Sequence, residues 1–109
     1  MFPSCCGEDL YNVLSVKPVK QLYAGSIGVG AKPTISTNVR YGIVFCVDGS
    51  VGISSMYVKS PETISEVIST YTGTDRVVLG HSGAYSIEID NRSGASRYVE
   101  VFMFEISNG

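Results

Sequence analysis

A chain of 109 residues, 44% hydrophobic and 17% charged, is one domain by length and too apolar for intrinsic disorder. Eight basic and ten acidic residues give a net charge of −2, and the basic ones are scattered, which counts against a phosphate-neutralising stripe and so against nucleic acid. No apolar run approaches the roughly 18 residues of a membrane helix, and MFPSCCGEDL lacks the basic and long apolar regions of a secretory signal. The expectation is a single cytoplasmic domain, residues 1–109, with no membrane partner.

In chain order, Cys5 and Cys6 come first. A disulfide between neighbours is strained, so these read as reduced thiols or a reactive pair. There is no Cys-x-x-Cys, and His81 is the sole histidine, so neither a metal site nor another cofactor is expected. DLYNVLSVK, residues 9–17, reads as a strand or a short helix. QLYAGSIGVGA alternates Ile27, Val29 and Ala31, the pattern of a glycine-rich strand. Within it, AGSIGVGAKPT nearly matches a phosphate loop. Gly25 and Gly30 have the right separation, but Ala31 displaces Lys32 and Pro33 stands where Ser/Thr belongs. The plainer reading is a strand or loop whose glycines admit another backbone. The sharper one is a cradle of Gly25, Gly28 and Gly30 for an anion or nucleotide, with Lys32 as counter-charge.

RYGIVFCVD places Tyr41, Ile43, Phe45 and Val47 on one face, with Cys46 behaving as a buried apolar residue. VGISSMYV repeats the period of two through Val51, Ile53 and Tyr57. Between them, Val47-Asp48-Gly49-Ser50 predicts a type I′ hairpin turn. SPETISEVISTYTG predicts a helix over 61–72. Ser60 would cap it, Pro61 and Glu62 suit its first turn, Ile64, Val67, Ile68 and Tyr71 form a stripe, and Gly73 ends it.

RVVLG and AYSIEID flank GHSGA, residues 80–84. A nucleophile elbow needs G-x-S-x-G before a helix. Here the last glycine is missing and a strand follows. His81, the one available base, adjoins Ser82, and neighbours in an extended chain diverge. A turn or bulge is the stronger reading, a ligand contact the next. DNRSGAS reads as a second hairpin loop with Gly94 left-handed. Asn91-Arg92-Ser93 matches a glycosylation sequon but is discounted without a secretory signal. Glu88 or Asp90 is expected near Arg97 or Glu100 as a cross-strand ion pair. The final strand is apolar on both faces. Val99, Val101 and Met103 take one face, and Phe102, Phe104 and Ile106 the other, so both need covering.

The expected fold is α+β, mainly β: an antiparallel sheet of about six or seven strands with one helix packed on it. The expected function is a non-enzymatic binding or assembly module, homo-oligomeric, acting by protein–protein contact. Its candidate interface is Tyr98, Val99, Val101, Phe102 and Phe104. Low charge and seven tyrosines fit such a contact. One alternative is a small-ligand protein binding an anion or nucleotide through Gly25, Gly28, Gly30, Lys32, His81 and Ser82. The other is a small hydrolase using Ser82.

Overall fold

The computed structural model describes residues 19–107. The readings of Cys5, Cys6 and segment 9–17 fall outside them. Eight strands follow in order: β1 Lys20–Ile27, β2 Thr34–Ser36, β3 Tyr41–Asp48, β4 Ile53–Lys59, β5 Ile64–Ser69, β6 Val77–Gly83, β7 Ser86–Asn91 and β8 Arg97–Ser107. They form two antiparallel sheets, one ordered β1-β8-β3-β4-β5 and the other β2-β7-β6. The fold is all-β.

The predicted helix over 61–72 is not there. Ile64–Ser69 is strand β5 and pairs with β4, Lys59 facing Ile64 and Met56 facing Ile68. Its β-branched residues are poor helix formers, and β4 offers them a hydrogen-bonded ladder. The capping chemistry read from Ser60 serves a turn instead. Ser60 Oγ accepts the Thr63 N–H at 3.2 Å, while the Ser60 N–H donates to the Thr63 carbonyl at 2.9 Å. A serine that can cap a helix can equally close a tight turn, because the bonds are local in both cases.

The β3–β4 hairpin is present in the expected place, but its turn differs. Asp48 pairs with Ile53, so four residues form the loop. The left-handed residue is Gly52, at φ 73°, and not Gly49. Asp48 organises this loop: its Oδ1 accepts the Ser50 N–H at 3.1 Å and its carbonyl accepts the Gly52 N–H at 2.8 Å. The second expected hairpin is also corrected. β7 and β8 belong to different sheets, so residues 92–96 cross between the layers, and Gly94 is not left-handed.

Alternation builds the core between the sheets. Val44 and Cys46 of β3, Tyr57 of β4, and Val99, Val101 and Met103 of β8 point inward. They meet Ile35, Val77, Leu79, Ile87 and Ile89 from the smaller sheet. Polar side chains close the sandwich along its sides. Tyr57 Oη accepts the Leu79 N–H at 3.2 Å. Lys59 is 1% exposed, and its ammonium donates to the carbonyls of Ser60, Gly83 and Ala84 at 3.0, 3.2 and 2.9 Å. Burial pulls its pKa below the ordinary lysine value, and the three carbonyls satisfy all three of its donors. Arg97 pairs with Asp48 at 2.6 Å, both buried.

Asn91 is the densest knot. Its Nδ2 donates to the carbonyls of Ile27, Gly28 and Ala95 at 2.9, 3.0 and 3.1 Å. Its Oδ1 accepts from the Ser93 N–H at 3.0 Å and the Ser93 hydroxyl at 2.6 Å. Thus the sequon asparagine is 1% exposed and its amide nitrogen is enclosed by carbonyls. Asn91→Ala should cost about 2–4 kcal/mol in urea unfolding, because it strands several buried partners. A loss under about 0.5 kcal/mol, the size of an ordinary surface substitution, would show that the knot is not structural.

Candidate functional site

The residues that point outward from the five-stranded sheet are unusually apolar for a sandwich, whose outer positions are ordinarily polar. The strand registers align them in rows. Ile68 faces Met56, Met56 faces Phe45, and Phe45 faces Phe102. One step along, Val58 faces Ile43 and Ile43 faces Phe104. Val58, Ile68 and Ile106 are 49%, 64% and 55% exposed, while Ile43, Phe45, Met56, Phe102 and Phe104 are half-buried against one another. Phe45, Val47, Met56 and Ile68 also floor an open groove of about 520 Å³ edged by Ser54 and Thr70. At the β5 margin, Arg76 grips Glu66 through two bonds of 2.8 and 2.7 Å and also reaches Ser69 at 3.1 Å.

Of the predicted interface residues, Tyr98, Phe102 and Phe104 lie on this outer face. Val99 and Val101 are fully buried in the core and offer nothing to a partner. Phe45, Met56, Val58 and Ile68 complete the surface and lie outside the interface predicted from sequence. Alternation puts Phe45 on one face of its strand without saying which face looks outward, and the helical spacing of Ile68 hides its place on a strand.

No family model, curated protein or solved structure matches this chain.

The proposed ligand residues are not brought together. Gly25 sits within β1 opposite Val99. The Gly30 N–H donates to the Asn91 carbonyl, and the Ala31 N–H to the Gly28 carbonyl, so these donors are already engaged and cannot cradle an anion. Lys32 lies beside β7 near Asp90, since Asn91 and Ile89 donate to the Ala31 and Pro33 carbonyls. His81 pairs with Ile87 from the opposite side of β7. Two strand spacings and three residues separate them, roughly 14 Å.

GHSGA forms the end of the β6–β7 hairpin. His81 pairs with Ile87 and Gly83 with Ser86, so Ser82 is the extra residue of a β-bulge. His81 Nε2 lies 3.0 Å from the Pro61 carbonyl. A carbonyl can only accept, so Nε2 carries the proton and cannot take one from Ser82. Asp90 pairs with Arg92 at 2.7 Å and Arg97 with Asp48, which corrects the expected pairing of Glu88 or Asp90 with Arg97. Among the described residues, no three His, Cys, Asp or Glu side chains gather as a metal site, and no helix is long and apolar enough to cross a membrane.

Cys46 is buried, and burial, aided by the nearby Asp48 charge, pushes its thiol up to about 12. With Cys5 and Cys6 replaced by serine, Cys46 should resist iodoacetamide at about pH 8 until urea unfolds the chain, since the thiolate is the nucleophile. Equal labelling of folded and unfolded protein would contradict this packing. Glu66 behaves oppositely: hydrogen bonds from Arg76 hold its carboxyl below the usual range. A depressed folded pKa stabilises above the unfolded value, and that stability is lost as pH falls through the folded one. The wild-type advantage over Glu66→Gln, about 0.5–1 kcal/mol for a partly exposed pair, should therefore vanish on acidification below the usual glutamate range. An advantage that is flat with pH would rule out the ion pair as its source.

Proposed function

We propose that this protein is a non-catalytic assembly module that self-associates through the outer face of its five-stranded sheet. The observation that supports this reading is the pair of apolar rows, Ile68–Met56–Phe45–Phe102 and Val58–Ile43–Phe104. Contiguous apolar surface of this kind marks a contact site on a soluble domain. Aromatic and methionine side chains with few charges are the composition of an interface core. The charged groups at the margin support a neutral partner surface. Glu66 is held by Arg76, and Glu105 by Lys20 at 3.1 Å, so neither side of the rim is left to attract a strongly charged partner.

Sedimentation velocity tests the reading. The wild type should sediment as a multiple of the 11.7 kDa chain at high micromolar concentration. Val58→Lys should shift it to the monomer while leaving the urea midpoint nearly unchanged, because Val58 points outward and half of it is already in water. A wild type that stays monomeric at the highest soluble concentration would refute self-association. An oligomer indifferent to Val58→Lys would move the contact elsewhere.

A further inference from the structure

Asn91-Arg92-Ser93 has the pattern of an N-glycosylation acceptor, a motif ordinarily carried on surface loops. It does lie at the surface, where the chain leaves β7 for β8: Arg92, Gly94, Ala95 and Ser96 are all exposed. The two residues that make it an acceptor turn the other way. Asn91 and Ser93 are 1% and 4% exposed. Ser93 donates its hydroxyl to Asn91 Oδ1, and the two N–H groups of Asn91 Nδ2 are shared among the carbonyls of Ile27, Gly28 and Ala95.

N-glycosylation is attack by this nitrogen on the anomeric carbon of a sugar linked to a polyprenyl diphosphate. The N–C bond forms, the C–O bond to the diphosphate breaks, the lipid diphosphate leaves, and one amide proton passes to a base. One N–H then remains where two served three carbonyls. Space is the harder limit. A hydrogen-bonded N–H points close to the line from donor to acceptor. A carbon in place of that hydrogen stands about 1.46 Å from the nitrogen. The carbonyl oxygens lie 2.9, 3.0 and 3.1 Å from the nitrogen, which leaves about 1.5 Å between carbon and oxygen, where about 3.3 Å is needed. The carbonyls would have to retreat by about 2 Å. They belong to the end of β1, the residue after it and the approach to β8, so the retreat unties β7 from the larger sheet. We infer that Asn91 accepts a glycan only in the unfolded chain, and that a glycan there and the native fold exclude each other. Whichever comes first, modification or folding, closes the route to the other.

The full chain carrying Thr72→Asn contains its own control. Thr72 is exposed in the loop between β5 and β6, and the substitution completes an acceptor triplet with Gly73 and Thr74. The folded chain is incubated with purified oligosaccharyltransferase and a polyprenyl-diphosphate oligosaccharide, and each site is followed by mass spectrometry. Modification that requires unfolding tracks the open population, and unfolding equilibrium constants start at about 10³. Position 91 should therefore react at least about a thousandfold more slowly than position 72. Reaction at 91 within about tenfold of that at 72, in a chain that keeps its urea midpoint, would overturn the inference. The same chain is also translated behind a cleavable secretory leader into microsomes, where the transferase meets it before it folds. Asn91 should then be modified. Those chains should lose the cooperative urea transition, while chains modified only at 72 keep it. A chain glycosylated at Asn91 that unfolds at the wild-type midpoint would overturn the exclusion, and an Asn91 left bare even during synthesis would overturn its being an acceptor.

Discussion

Strand β8 sets the terms for the rest of the molecule. It is the second strand of the larger sheet, bonded to β1 on one side and β3 on the other, and it is apolar on both faces. Each face of such a strand removes area from water at roughly 25 cal/mol per Å² when covered. The smaller sheet covers one: Val99, Val101 and Met103 are fully buried. The three strands β2, β7 and β6 all lie on that side, so the other face has no cover from the described chain. Phe45 and Phe102 shield each other partly, which is why they are half-buried rather than exposed, yet they leave a surface that water still wets.

The unequal layers raise a second difficulty. Five strands packed on three leave polar backbone near the open sides, and an unpaired buried N–H or C=O costs about as much as a lost hydrogen bond. Side chains rooted in strands supply the missing partners. Tyr57 and Lys59 of β4 sit two residues apart on the inward face and reach β6 and the β6–β7 turn. Asn91 ends β7 and holds the carbonyls that follow β1. Asp48 ends β3 and holds Arg97, which opens β8. Lys59, Asn91, Asp48 and Arg97 lie at strand ends, where the ladder stops, and Tyr57 lies two residues inside one. Tyr57, Lys59 and Asn91 tie one layer to the other, whereas the Asp48–Arg97 pair joins neighbouring strands of the larger sheet.

Periodicity made β3, β4, β6, β7 and β8 readable from sequence, because alternation survives whichever sheet a strand joins. The 61–72 segment misled because its apolar residues satisfy both templates. Ile64 and Ile68 are four apart, so they share a helical face, and a bulge at Val67 between Glu66 and Ile68 shifts the strand phase that would have separated the two readings. Nothing local records that bulge, whose cause lies in the pairing with β4. The bolts were equally hidden. Asp48 reads as a turn residue and is one, but its bond to Arg97 spans 49 positions. Asn91 resembles a glycosylation site, and Lys59 resembles an ordinary surface lysine at a strand end. Their roles depend on carbonyls contributed from distant segments.

The candidate site was half legible for the same reason. Alternation assigned Phe102 and Phe104 to one face of β8 and Phe45 to one face of β3, but the pattern alone cannot say which face looks outward. Sheet order decides it. Once β8 lies between β1 and β3, the Val99 and Val101 face turns to the smaller sheet and the phenylalanine face turns away. The low charge content acquires a location at this step. Four of the charged residues, Asp48, Arg97, Glu66 and Arg76, pair within the chain along the sides of the sandwich. The outer face meets solvent largely as the hydrocarbon of its two apolar rows. A surface so built gains most from being covered by another apolar surface, at roughly 25 cal/mol for each Å² removed from water.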